Sequence, residues 1–216
     1  MNLQDLLSGA TVVAIFLLIA FPVHEFSHAW VAYRLGDSTA RWQGRLSLNP
    51  VVHFDPIGGT LLAISVLLAG IGIGWAKPTP VNPYNLRYGR RGEALVAVAG
   101  PISNLIMAAI VAIPLRIILA NPSMAATVSS NDIAVFVFNV AVLFVQIDVL
   151  LMIFNLLPIP PLDGWRGLLG LVDARTAYAL KPFEQNGFVV LILIIFLAPS
   201  FIGQLASTIT RFLIGA

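Results

Sequence analysis

Residues 6–33 read LLSGATVVAIFLLIAFPVHEFSHAWVAY. As far as Val23 the run carries no charge, and at about 1.5 Å per helical residue it is long enough to cross a hydrocarbon core of about 30 Å with some tilt. Arg34 and Gly36 then supply the stop expected after a helix. Inside this apolar helix sit His24, Glu25 and His28. Ionisable side chains are costly there, so three within five residues read as functional.

The rest of the chain agrees with a membrane setting. Of 216 residues, 58% are hydrophobic and only 10% charged, against about a quarter charged in soluble domains. Mean hydropathy is +0.91. Such a length allows about four to six crossings and leaves almost nothing for an aqueous domain, so residues 1–216 are expected to form one membrane-embedded module. The net charge is +2, with Lys and Arg scattered between apolar runs as in positive-inside loops, which argues against nucleic acid as a partner. There is no cysteine, so any metal must be held by His, Asp or Glu. Met1 to Asp5 has no basic n-region, and a cleaved signal peptide is not expected.

Further segments are expected at about Ile57–Trp75, Gly92–Leu119, Ile133–Leu157 and Phe188–Ala198, with another apolar stretch after Pro199-Ser200. The fold class is therefore an all-α polytopic membrane protein of about five to six segments. A small membrane-associated β element is added for the alternating Trp42, Arg45, Leu46 and Leu48. Five glycines weaken the Ile57–Trp75 segment as a helix, and the alternate prolines of Lys77-Pro78-Thr79-Pro80-Val81-Asn82-Pro83 hold that stretch extended.

His24-Glu25-Phe26-Ser27-His28 is HExxH. One helical turn separates the histidines, so both imidazoles can reach one zinc ion, with Glu25 beside them as a base. Counted from Gly36, they lie roughly 12 and 18 Å inside the helix end, within the membrane. A catalytic zinc usually has three protein ligands. The candidate third is Asp163, in Asn155-Leu156-Leu157-Pro158-Ile159-Pro160-Pro161-Leu162-Asp163-Gly164, where three prolines break the helix beside a carboxylate. The plainer readings are a polar patch or pore lining for HExxH and a proline-rich loop with a capping Asp for the second motif. His53 reads first as a hydrogen-bonding loop residue, with a place over the zinc as the alternative. Asp148 could face a wet cavity or be a neutral acid bonded to a neighbouring helix.

HExxH, Gly100-Pro101-Ile102-Ser103-Asn104 and NLLPIPPLDG, in this order, resemble the site-2 protease family of intramembrane zinc metalloproteases across nearly the whole chain. Gly44-Arg45-Leu46-Ser47-Leu48-Asn49-Pro50, His53-Phe54-Asp55-Pro56-Ile57-Gly58 and Trp75-Ala76-Lys77-Pro78 are similar to its short bacterial and archaeal branch without PDZ or CBS domains. The resemblance implies one zinc ion held by His24, His28 and Asp163, and Glu25 as general base and acid. It implies Asn104 and Asn155 as polar groups near the substrate carbonyl, helix-to-helix bonding being the other reading of Asn104. It also implies a multi-pass protein of a prokaryotic cell membrane whose partners are the bilayer and transmembrane protein substrates. Trp165 and Asp148 depart from the pattern, which commonly has a small residue and Asn there. A metal-ion transporter and a catalytically silent binding protein are the rival functions; a base beside the ligands argues against the first.

If Asp163 is to meet the histidines, residues 37–91 must begin and end on one side, taken as cytoplasmic. The second segment is then a re-entrant hairpin or a crossing undone by the extended stretch. The charges agree, since Asn121 to Asp132 has no Lys or Arg. Trp75 to Val81 is the expected substrate-pairing edge, with the N–H groups of Lys77, Thr79 and Val81 on its competent side.

Overall fold

Every regular element among the described residues of the computed structural model, residues 3–197 and 199–216, is helical. Met1, Asn2 and Ala198, on which the expected start of the chain and the end of the fifth segment fall, lie outside them. The first long helix is continuous from Gln4 to Arg34. It consists of α1 (Leu3–Ile15), a π turn (Phe16–Ala20) and α2 (Phe21–Arg34). The wider turn ends just before Pro22, whose ring and missing N–H would otherwise conflict with the carbonyl of Leu18. One extra residue rotates the following face by about 100°. His24 and His28 are thereby buried, while Trp30 is exposed on the other side.

Two single helical turns follow, α3 (Thr39–Trp42) and α4 (Pro50–His53), then α5 (Pro56–Ala69). The expected β element does not appear: the described residues contain no strand. Around the alternating residues, Gly44 takes a positive φ of 69° and the side chain of Asn49 accepts the Val51 N–H, so local turns replace a ladder. The 14-residue α5 spans about 21 Å, too short for a hydrocarbon core of about 30 Å. Its far end meets α1, where Leu67 lies against Gly9. Residues 70–82 then return extended alongside it. Gly74 packs on Leu62 and Gly58, and Trp75 covers Gly58 so closely that a Cβ there would collide with its carbonyl and ring. The second segment is thus a helix with an extended return leg.

Asp37 fastens the base of this hairpin. Its fully buried carboxylate accepts from Thr39 N and Oγ1, Asn82 N and Asn85 Nδ2. Burial pushes its pKa up, but these donors outweigh it and hold the carboxyl below its ordinary value. Arg87 N–H donates to Leu35 O at 2.8 Å, so the end of α2 and the approach to the next long helix lie together.

That helix, α6 (Arg90–Ala120), is central. After α7 (Pro122–Ser129) come α8 (Asp132–Leu156), α9 (Asp163–Leu171), α10 (Ala174–Leu180), α11 (Phe183–Leu197) and α12 (Pro199–Ile214). Small residues let neighbours approach α6 closely. Ala108 and Ala112 form a core with Val145, Val149 and Ile153 of α8 and with Ile202 and Ala206 of α12. Gly170 of α9 packs against Ala94, and the Arg90 guanidinium donates to the carbonyls of Leu169 and Val172 at the end of α9.

Among the described residues, three helices are long and apolar enough to cross a membrane: Gln4–Arg34, Arg90–Ala120 and Asp132–Leu156. A fourth is counted if Ala174–Leu180 and Phe183–Ile195, bent by 62°, make one span. Of the five to six expected segments, these three or four are found among the described residues; α5 is short and the C-terminal apolar stretches are broken.

Because this Cys-free chain allows single-cysteine labelling, the hairpin has a direct check. Cysteines at positions 41 and 84 should label from one membrane face and a cysteine at position 123 from the other. Labelling of 41 and 84 from opposite faces would contradict the return leg.

Candidate metal centre

His24 and His28 point their Nε2 atoms at each other across 3.1 Å. Asp163 Oδ2 lies 3.0 Å from the first and 3.2 Å from the second. The aspartate is the first residue of α9. The break before it follows from Pro158, Pro160 and Pro161, which cannot continue α8. Gly164 lets the new helix return against the old one, since a Cβ there would strike the carbonyls of Leu156 and Leu157. Among the described residues this is the one group of three His, Asp or Glu with ligand atoms close enough to hold a metal ion.

The other nitrogen of each ring fixes its tautomer. His28 Nδ1 lies 2.7 Å from the backbone oxygen of Val96, which can only accept, so Nδ1 carries the proton. His24 Nδ1 lies 2.6 Å from Asn104 Oδ1 and donates to it likewise. Both Nε2 atoms are left with a lone pair directed at the carboxylate. Three such acceptors, two buried and one half-buried and separated by 3.0–3.2 Å, repel one another unless a positive charge, a metal ion or a proton, lies between them. Ligands at 2.0–2.1 Å in a tetrahedron are separated by about 3.3 Å, so the spacing and the N, N, O donor set both fit zinc.

Gly100 completes the pocket from α6. A Cβ at this position would fall well inside contact distance of both Nε2 atoms. Its motif was visible in the sequence, but this steric role was not.

Glu25 stands apart from the three. Its Oε2 accepts the Thr79 N–H at 2.7 Å, and Thr79 Oγ1 donates to the Glu25 carbonyl at 2.9 Å. The return leg therefore lies over the helix turn that carries the histidines. Lys77 N donates to His53 O, and Arg45 Nη2 donates to the carbonyls of Lys77 and Pro78. The expected substrate-pairing edge needs correction here, because the N–H groups of Lys77 and Thr79 already have partners within the chain.

The two asparagines differ in their surroundings. Asn104 is fully buried, with Oδ1 on His24 and Nδ2 donating to Asp148 Oδ1 at 2.6 Å. Both ends of its amide are thus engaged by protein. Asn155 Nδ2 donates to Leu151 O within α8 at 3.0 Å. His53 is buried and pairs Nε2 with Ser47 O at 2.7 Å, the loop bond expected of it. Trp165 is turned into the protein, where Nε1 donates to Glu184 Oε1.

The steric demand at Gly100 gives a sharp test. Gly100→Ala should lower zinc content at least tenfold by parting the two imidazoles, measured by metal analysis of purified protein. Ala at Gly203, where a Cβ meets open space, should leave it unchanged.

No family model matches the chain, and no solved structure matches it. Curated relatives do. YwhC of Bacillus subtilis, provisionally named a zinc metalloprotease, is 40% identical over 185 residues, covering 86% of this chain and 80% of its own. Rip2 of Mycolicibacterium smegmatis, provisionally named likewise, is 30% identical over 198 residues, covering 88% of this chain and 71% of its own. Rip2 of Mycobacterium tuberculosis is 35% identical over 188 residues, with coverages of 86% and 66%. From the extent of these matches, the chain belongs to the site-2 protease family of intramembrane zinc metalloproteases.

Proposed function

We propose that His24, His28 and Asp163 hold one zinc ion, and that Glu25 is the general base and acid of a multi-pass intramembrane endopeptidase cleaving transmembrane segments of other proteins. The observation that carries this reading is the convergence of two imidazole lone pairs and a carboxylate oxygen within the apolar helix bundle. Zinc bound there supplies Lewis acidity, making water a nucleophile near neutral pH and polarising a carbonyl.

The chain's own groups do the rest. Asn104 and the Val96 carbonyl hold the two imidazoles in the tautomer that leaves Nε2 free. Glu25 is a carboxylate next in sequence to a ligand, and it takes a proton from the attacking water and returns it to the leaving amine. The Thr79 N–H bond fixes Oε2 in place and leaves the carboxylate's remaining acceptor capacity for that proton. Asn155, just before the helix break, is the candidate donor to the carbonyl oxygen as charge develops there. To serve, it must exchange its bond to Leu151 for one to the substrate. A peptide bond in a helix is shielded by its own hydrogen bonds, so the substrate is unwound locally before it meets these groups.

Zinc content and cleavage of membrane-spanning peptides, measured on detergent-purified variants, separate the roles. Ala at His24, His28 or Asp163 should lose zinc and activity together. Glu25→Gln should keep near-stoichiometric zinc while cleavage falls at least 100-fold. Wild-type cleavage by Glu25→Gln would refute its assignment as the base.

A further inference from the structure

Asp148 is the one fully buried acid of α8, and the chemistry above does not use it directly. It lies in a helix long and apolar enough to cross a membrane: its Oδ1 accepts from Asn104 Nδ2, and its Oδ2 is buried with no hydrogen-bond partner among the described residues. A carboxyl at such a position is costly, so a packing role alone does not account for it. Its single partner bonds in turn to a histidine of the metal centre.

Asparagine is ambidextrous. Turned over by half a rotation, Asn104 would present its NH2 group to His24 Nδ1 in place of its oxygen. His24 would then accept at Nδ1 and carry its proton on Nε2, the atom that faces His28 and Asp163. A protonated Nε2 has no lone pair for a metal. The hydrogen bond from Asn104 Nδ2 to Asp148 Oδ1 removes this choice, because an oxygen acceptor on α8 draws the NH2 group toward itself and turns the amide oxygen toward α2.

We infer that Asp148 is a positioning residue: through Asn104 it selects the Nδ1–H tautomer of His24 and so keeps the His24 Nε2 lone pair available to the metal. Three helices are joined in this relay, α8 through Asp148, α6 through Asn104 and α2 through His24. The inference deepens the zinc reading and rests on it for its purpose, but the orientation it describes belongs to the metal-free protein as well.

The test uses full-length protein, 15N-labelled at histidine and freed of metal, with the imidazole nitrogen shifts reporting the tautomer and chelator competition reporting zinc affinity. Asp148→Leu should move one histidine toward the Nε2–H form and weaken zinc binding roughly 10- to 100-fold, the range for loss of an outer-shell partner. Asp148→Glu, which keeps a carboxylate oxygen as acceptor for Asn104, should retain the Nδ1–H form and most of the affinity. Asn104→Leu removes the acceptor itself and should act like Asp148→Leu, which keeps the test open if one variant fails to fold. The inference is overturned if the folded Leu variants keep the wild-type tautomer, or if folded Asp148→Glu is as impaired as Asp148→Leu. Failure of the zinc reading looks different: the wild-type protein would show the tautomer described but bind no zinc.

Discussion

Three acceptor atoms held 3.0–3.2 Å apart in an apolar bundle are the constraint on which this structure depends. Two come from one helix and the third from a helix that begins anew after a proline break. Their approach requires a residue without a side chain on the helix facing them, and Gly100 supplies it. The same approach requires every proton to be directed outward, toward Asn104 and Val96 O. Packing and protonation are therefore one problem here. A larger residue on α6, or a turned amide beside it, would each spoil the same site.

The central position of α6 follows from this requirement. It meets α2 at Gly100, α9 at Ala94 and α8 through Asn104 and its small-residue face. Each contact fixes one part of the proposed metal centre: the histidines, the helix bearing Asp163, and the amide behind His24. The hairpin of α5 and residues 70–82 adds the remaining part by bringing the Thr79 N–H to Glu25. The buried Asp37 and Arg45 hold that leg by its backbone, so its position does not depend on a paired strand.

Much of this was legible in the residues. HExxH places two imidazoles on one helix face by spacing alone, and three prolines before Asp163 end a helix wherever they occur, so the ligand candidates could be named without coordinates. That the chain must return between the first and third segments could be argued from the need for Asp163 to meet the histidines, with the charges in agreement, though not whether by a hairpin or an undone crossing. Less was legible where a residue's partner decides its role. Asn104 and Asn155 both read as polar groups near the substrate carbonyl, with helix-to-helix bonding as the other reading of Asn104; one is wedged between two helices and the other bonds within its own turn. The alternation from Trp42 to Leu48 suggested a strand, yet a left-handed Gly44 and a capping Asn49 commit that stretch to turns. The π turn before Pro22 and the orientation of Asp148 depend on three-dimensional packing that no periodicity reports.

X-ray absorption at the zinc edge of the purified protein addresses the central claim most directly. Two imidazole nitrogens and oxygen donors at about 2.0–2.1 Å, with no sulfur, are predicted for zinc on His24, His28 and Asp163. The chain has three histidines, so a three-imidazole shell would bring in His53 and contradict the assignment, as would a protein that binds no zinc.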